Sequence, residues 1–140
     1  MNGRSELVDT LGRLTLFADF SRPELEAVAH TVDEEMFAEG QRVLRQGLSG
    51  SGFFVILEGN ASIHVDGEAR WTLGPGDFFG ETSLLTGGTP TADVVATTLL
   101  RCAVVQGPDF EQFLLARPRF LYRLLQAEAD RLRNALAWRQ

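Results

Sequence analysis

Turns decide what this chain can become. Between residues 36 and 106 the apolar stretches are short, and glycine-rich turns separate them. Phe53–Leu57 reads as a continuous apolar strand. From Asn60 to Val65, Ala61, Ile63 and Val65 alternate with Asn60, Ser62 and His64, the period of a strand with one buried face. Asp66-Gly67 then predicts a tight hairpin, with Trp71 and Leu73 on the inward face of the return strand. Gly74-Pro75-Gly76-Asp77 predicts another turn. Further on, Leu100, Cys102 and Val104 alternate with Arg101, Ala103 and Val105. Many short strands closed by turns suggest a barrel or jelly roll, which hides its sheet edges.

Helical patterns flank this region. Residues 5–30 read as helical. Ser21 can cap a helix there, Glu24 can close the capping box, and Phe20 can staple onto Leu25. Gly107-Pro108 opens a helix running to about Ala116, with proline in the favoured first turn. Pro118 ends it, and a longer helix follows toward Gln140. Along that helix Tyr122, Leu125, Ala129, Leu132 and Leu136 step by three and four, the seam of a short coiled coil. Such a seam satisfies either a dimer partner or the chain's own barrel.

The expected fold class is therefore α+β, mainly β. It is an eight-stranded antiparallel β-roll, or jelly roll, flanked by N-terminal helices and a long C-terminal helix. Residues 1–140 make one domain: 5–35 helical, 36–106 the roll, 107–140 the C-terminal helices.

Composition narrows the setting. No apolar run approaches the roughly 20 residues of a membrane span, and the polar start, Met1 to Asp9, does not read as a signal peptide. Cys102 is the only cysteine, which excludes an intrachain disulfide and fits a reducing, cytoplasmic location. The formal net charge is −6. Six Arg against Glu128 and Asp130 make residues 117–140 basic, while the remainder is strongly acidic. An acidic body does not attract nucleic acid over its whole surface. The basic tail suits an acidic partner or the protein's own body.

The chemistry-bearing stretch runs from Gly76 to Ala92. It reads as a turn, a strand end, Gly80 opening one helical turn, and a glycine-rich loop returning to a strand. A helix start after glycine exposes unpaired backbone N–H groups, which suits an anion. Glu81 at that place would repel an anion unless it accepts from a donor, and a sugar hydroxyl beside a phosphate supplies one.

This stretch resembles the phosphate-binding cassette of cyclic nucleotide-binding domains, found in catabolite-activator-type transcription factors, kinase regulatory subunits and nucleotide-gated channels. Phe54-Val55-Ile56-Leu57-Glu58-Gly59 is similar to the family's barrel signature. Leu73-Gly74-Pro75-Gly76-Asp77-Phe78-Phe79-Gly80-Glu81 follows its consensus almost residue for residue. The resemblance covers nearly the whole chain and implies a sensor or regulatory module for cyclic AMP or cyclic GMP, or another small anion. It implies that Gly80 and the backbone amides after it face the cyclic phosphate and that Glu81 accepts from the ribose 2′-hydroxyl. Thr91 and Ala92 match the small residues completing the cradle; Thr82, Ser83 and Thr89 complete the candidate ligand-binding set.

The departure is as informative as the match. The family arginine that neutralises the phosphate should immediately precede Thr91, and here Pro90 stands there. Proline offers no charge and no backbone N–H. Losing a buried charge-assisted partner costs about 2–5 kcal/mol, or roughly 30-fold to several thousandfold in affinity. Asp93 adds negative charge nearby. Weak or absent cyclic nucleotide binding is the expectation, on a loop at Pro90 expected to be exposed.

Other residues carry less. His30 and His64 lie far apart and do not form the clustered metal set of a cupin, so no metal and no cofactor is expected. Cys102 alternates inward and reads as inert core. Trp138 suits either a lid over a ligand base or packing on the barrel or a dimer mate. No catalytic constellation is legible, so no catalytic residues are assigned and the chain is not expected to be an enzyme. The alternatives to a sensor are an unliganded scaffold or dimerisation domain, and a fragment of a transcription regulator. DNA recognition would need a helix-turn-helix after the long helix, so this chain alone is expected to bind neither DNA nor membrane, and to form a homodimer through that helix.

Overall fold

The computed structural model describes residues 3–48 and 52–137. Helix α1 (Gly3–Gly12) leads through a 3-10 turn at Thr15–Phe17 to α2 (Arg22–Thr31). Eight strands follow: β1 (Asp33–Phe37), β2 (Arg42–Leu44), β3 (Gly52–Glu58), β4 (Ala61–Val65), β5 (Glu68–Leu73), β6 (Phe78–Phe79), β7 (Asp93–Ala96) and β8 (Leu100–Gln106). Helix α3 (Glu81–Thr86) interrupts them between β6 and β7, and α4 (Gly107–Ala116) and α5 (Pro118–Ala137) close the chain. The strands form two antiparallel four-stranded sheets, ordered β1-β8-β3-β6 and β2-β7-β4-β5. This is the expected roll with helices at both ends. Its first strand begins at Asp33, inside the segment read from sequence as helical.

Local chemistry explains the boundaries. The Ser21 hydroxyl accepts from Glu24 N at 3.3 Å, and Glu24 Oε1 accepts from Ser21 N at 2.8 Å, so the capping box forms in full. Asp66 and Gly67 both take positive φ, 52° and 81°, as a two-residue hairpin requires. In the turn at 74–77, Asp77 N donates to Gly74 O at 3.0 Å while Gly74 N donates to the Asp77 carboxylate at 2.9 Å.

Strands β3 and β8 are buried on both faces, and their alternation divides two cores. Phe54, Ile56, Cys102 and Val104 face into the roll with Phe37, Leu44, Leu73 and Val94. Phe53, Val55, Leu57, Ala103 and Val105 face out, into a second core built with the helices. Helices supply Leu11, Phe17, Val28, Phe110, Phe113, Phe120 and Leu124 to it. The side chains expected outward on β8 are thus covered, Arg101 apart; it lies half-buried against Glu34 and Glu58. Cys102 is fully buried, and burial pushes its thiol up to about 12, which makes it inert as expected.

One expectation for the strands changes. Trp71 is not inward; it is 58% exposed, whereas Leu73 is buried. Strand β5 is the edge of its sheet, only Leu73 at its end is covered, and the register slips between Ile63 and His64 of its partner. The seam of α5 does not pack on the barrel. Phe120 and Leu124 hold the helix down, while Tyr122, Leu125, Ala129, Leu132 and Leu136 face solvent. The basic tail does reach its own acidic body: Arg123 Nε lies 2.8 Å from Asp19, and Arg119 pairs with Glu24. Trp138 lies outside the described residues.

Phe120 has no exposed surface and meets the rings of Phe17, Phe53 and Phe113. Phe120→Ala should cost about 3–5 kcal/mol in urea unfolding. Trp71→Ser, on the exposed edge strand, should stay within about 0.5 kcal/mol of the parent.

Candidate functional site

The cassette is built on a glycine elbow. Gly80 caps α3 with φ 94°, a left-handed conformation that glycine adopts without penalty. A Cβ there would also collide with the Gly52 carbonyl oxygen at the start of β3. The neighbouring rings of Phe54 and Phe79 stack with centroids 4.8 Å apart and planes nearly parallel, and fix the strand that delivers the elbow. Short helix α3 therefore starts at Glu81, where the sequence placed it.

The seven candidates fall in two groups. Gly80, Glu81, Thr82 and Ser83 share the elbow; Gly80 is half-buried, Glu81 and Ser83 are buried, and Thr82 is exposed. The Ser83 hydroxyl donates back to Gly80 O at 3.4 Å. Thr89, Thr91 and Ala92 lie on the return loop, the two threonines exposed and Ala92 half-buried. Between them Pro90 is buried, contrary to the expectation of an exposed loop. Its carbonyl accepts from Gly47 N at 2.9 Å, which draws the loop onto the turn after β2. Asp93 turns the same way, accepting from Gln46 N at 2.7 Å with Arg42 at 3.9 Å, so it does not face the elbow as a free charge. A cleft of about 360 Å³ opens between β2 and the β3–β8 wall, bordered by Arg42, Leu44, Arg45, Phe54 and Gln106. None of the seven candidates borders it.

Glu81 is the unusual group. Only 3% of it is exposed, and its donor is a protein side chain. Arg131 on α5 places Nη1 3.2 Å from Glu81 Oε2, donates from Nη2 to Phe78 O at 2.7 Å, and lays its guanidinium 3.9 Å over the Phe78 ring. Glu128, one turn earlier on α5, lies 3.5 Å from the same Nη1. Burial pushes the Glu81 carboxyl up to about 7; the hydrogen bond and the negative charge of Glu128 push the same way, against Arg131. Glu128 Oε1 is itself buried, with no hydrogen-bond donor among the described residues. Sequence reading missed Arg131 and Glu128. Their signal was the second stripe of α5, Phe120, Leu124, Ala127, Glu128 and Arg131, which is interleaved with the apolar seam.

A group raised in this way makes the folded protein hold a proton that the unfolded chain releases. Its contribution to stability is present in acid and is lost as pH rises from the ordinary 4.5 to about 7. Asp19 and Glu24 act in the opposite sense: hydrogen bonding to Arg123 lowers Asp19, and the Ser21 backbone bond lowers Glu24. Their contributions are lost only below the usual carboxylate range. Thermal unfolding should therefore give a midpoint that falls between pH about 5 and about 7.5, and Glu81→Gln should flatten that slope. An unchanged slope in the variant would remove Glu81 as its source.

Comparison with known proteins agrees with this geometry. Residues 34–117 match the family model of the cyclic nucleotide-binding domain. The chain is 30% identical over 126 residues to the cGMP-dependent protein kinase egl-4 of Caenorhabditis briggsae; the match covers 86% of this chain but 16% of the kinase. Its fold superposes on the Thermus thermophilus catabolite activator protein with a TM-score of 0.77 at 26% identity, covering 86% of this chain and 59% of that one. The regulatory subunit of a cAMP-independent protein kinase A from Trypanosoma brucei superposes at 0.75 with 26% identity, over 88% of this chain and 47% of that one. Family model, roll and cassette coincide: this chain belongs to the cyclic nucleotide-binding domain family.

Proposed function

We propose that the chain is a regulatory sensor module that binds cyclic AMP or cyclic GMP weakly or not at all. The observation that carries this is the cassette itself. The Gly80 elbow and Glu81 are in place, yet buried Pro90 stands where the phosphate needs an arginine. Thr82, Ser83, Thr89, Thr91 and Ala92 would line the rest of the site. The module acts by binding, without catalysis, and its lone buried thiol suits a cytoplasmic setting. The trypanosome relative is described as part of a cAMP-independent kinase, so loss of cyclic AMP control is compatible with this fold.

The exposed seam of α5 favours a second property, self-association. Leu132 is 61% exposed and Leu136 52%, on a stripe with heptad spacing, and a matching helix from a second copy would bury both. Binding of DNA or membrane forms no part of this proposal.

Two experiments test it. Calorimetric titration of the unmodified protein with cyclic AMP and cyclic GMP should give no binding tighter than micromolar. Pro90→Arg should improve affinity at least about tenfold, the low end for a charge-assisted contact. Because Pro90 is buried, thermal unfolding of the variant must be measured beside the titration. Sub-micromolar binding by the parent would overturn the proposal, as would no gain in a variant of parental stability. Leu132→Asp should convert a dimer to a monomer in sedimentation. A parent protein that sediments as a monomer at high micromolar concentration refutes the self-association.

A further inference from the structure

Strand β2 carries two arginines at an odd spacing. In unbroken alternation Arg42 and Arg45 would project to opposite faces of the sheet. Val43 interrupts the alternation as an extra residue: Arg42 pairs with Val95 of β7 and Leu44 with Val94, so two steps of β2 answer one step of β7. Both arginines consequently border the cleft of about 360 Å³ that lies between β2 and the β3–β8 wall. Arg42 reaches Asp93 only through Nε, at 3.9 Å, and its side chain is 50% exposed. The chain has a net charge of −6 and carboxylates to spare, yet the Arg45 guanidinium has no ion pair or hydrogen bond among the described residues.

The other walls differ in kind. The floor is apolar, made by Leu44, Phe54 and Val104, all buried side chains of the roll. Facing the arginines, β1 and β8 supply Glu35 and Gln106. The Gln106 amide nitrogen is already engaged, donating to Asp33 at 2.9 Å and to Glu35 at 3.5 Å. What that wall offers a ligand is therefore acceptors, the Glu35 carboxylate and the Gln106 amide oxygen.

We propose that this cleft is a second ligand site, separate from the cassette, for a small organic oxyanion with a flat apolar body and a hydrogen-bond donor at the end away from its charge. The oxyanion lies between Arg42 and Arg45, the body covers Leu44, Phe54 and Val104, and the donor meets Glu35. The walls dictate this order. An anion turned toward Glu35 would be repelled, and a donor turned toward two guanidiniums would find no acceptor. The cleft falls at the small end of the range of ligand pockets, the size of a substituted ring. A bare inorganic ion would leave the apolar floor uncovered. The site does not depend on the cassette binding a nucleotide, since no cassette candidate borders it.

Titrations of the unmodified protein, followed by backbone amide signals in NMR, test this with four probes. Para-aminobenzoate and para-aminophenyl phosphate carry the anion, the ring and the donor; benzoate lacks the donor, and para-aminobenzamide lacks the charge. At least one of the first two should bind with a Kd of about 1 mM or tighter, moving the signals of residues 35, 42–45 and 104–106. The tighter of the two assigns carboxylate or phosphate. Para-aminobenzamide should bind at least about tenfold more weakly, and Arg45→Gln should weaken both anions about tenfold, the low end for a charge-assisted contact. Arg45 is exposed and unpaired among the described residues, so this variant should unfold at the parental temperature. Glu35→Gln should weaken para-aminobenzoate relative to benzoate, which has no donor to lose. No binding of either anion at about 10 mM overturns the proposal, as does an affinity indifferent to Arg45→Gln. Signals that move only in residues 80–92 place the anion in the cassette and overturn it too, while leaving the cassette reading intact.

Discussion

Strand β3 is the wall on which everything else leans. Its alternate side chains enter different cores, Phe54 and Ile56 the roll, Phe53, Val55 and Leu57 the helical layer. Its first residue, Gly52, lies against the Gly80 elbow so closely that neither glycine has room for a side chain: a Cβ on Gly52 would press into the Phe54 ring. A strand buried on both faces cannot slip register without exposing one core or burying polar groups. That rigidity passes through the stacked Phe54 and Phe79 to β6 and so to Glu81. The site is held by hydrophobic packing on strands, and its loops are secondary.

The same packing creates the electrostatic problem at Glu81. A carboxylate removed from water needs a counter-charge or a proton. Arg131 supplies the first and the neighbouring Glu128 favours the second. Guanidinium suits this place better than ammonium: its planar face lies on Phe78 while its edge donors reach a carboxylate and a carbonyl. The arrangement ties a residue of the cassette to the last helix across fifty positions of sequence.

Much of this was legible from residue order alone. The hairpin at Asp66-Gly67, the turn at 74–77, the capping box at Ser21 and the helix start at Gly80 are fixed by local backbone chemistry, and local chemistry is what a sequence writes plainly. Trp71 was misplaced because alternation tells which side of a strand a residue is on, without telling whether anything covers that side. Pro90 was misplaced for a related reason: a glycine- and threonine-rich loop reads as surface, yet its carbonyl is drawn onto the turn at Gly47. The α5 seam stood out because it is apolar. The barrel-facing stripe beside it mixes Phe120 and Leu124 with Glu128 and Arg131, and only tertiary packing makes those two charges a site.

Pro90, Asp93 and Glu81 belong to one arrangement. An arginine at position 90 would offer a counter-charge to the acidic groups around it. Without it, every carboxylate in the region must be satisfied from elsewhere in the protein. Asp93 takes the Gln46 amide and lies near Arg42; Glu81 takes Arg131. These partners come from β2, from the turn after it and from α5, none of which belongs to the cassette. Among the described residues no arginine lies on the elbow itself, and the buried carboxylate that opens α3 meets its counter-charge across the fold, from Arg131 of the last helix.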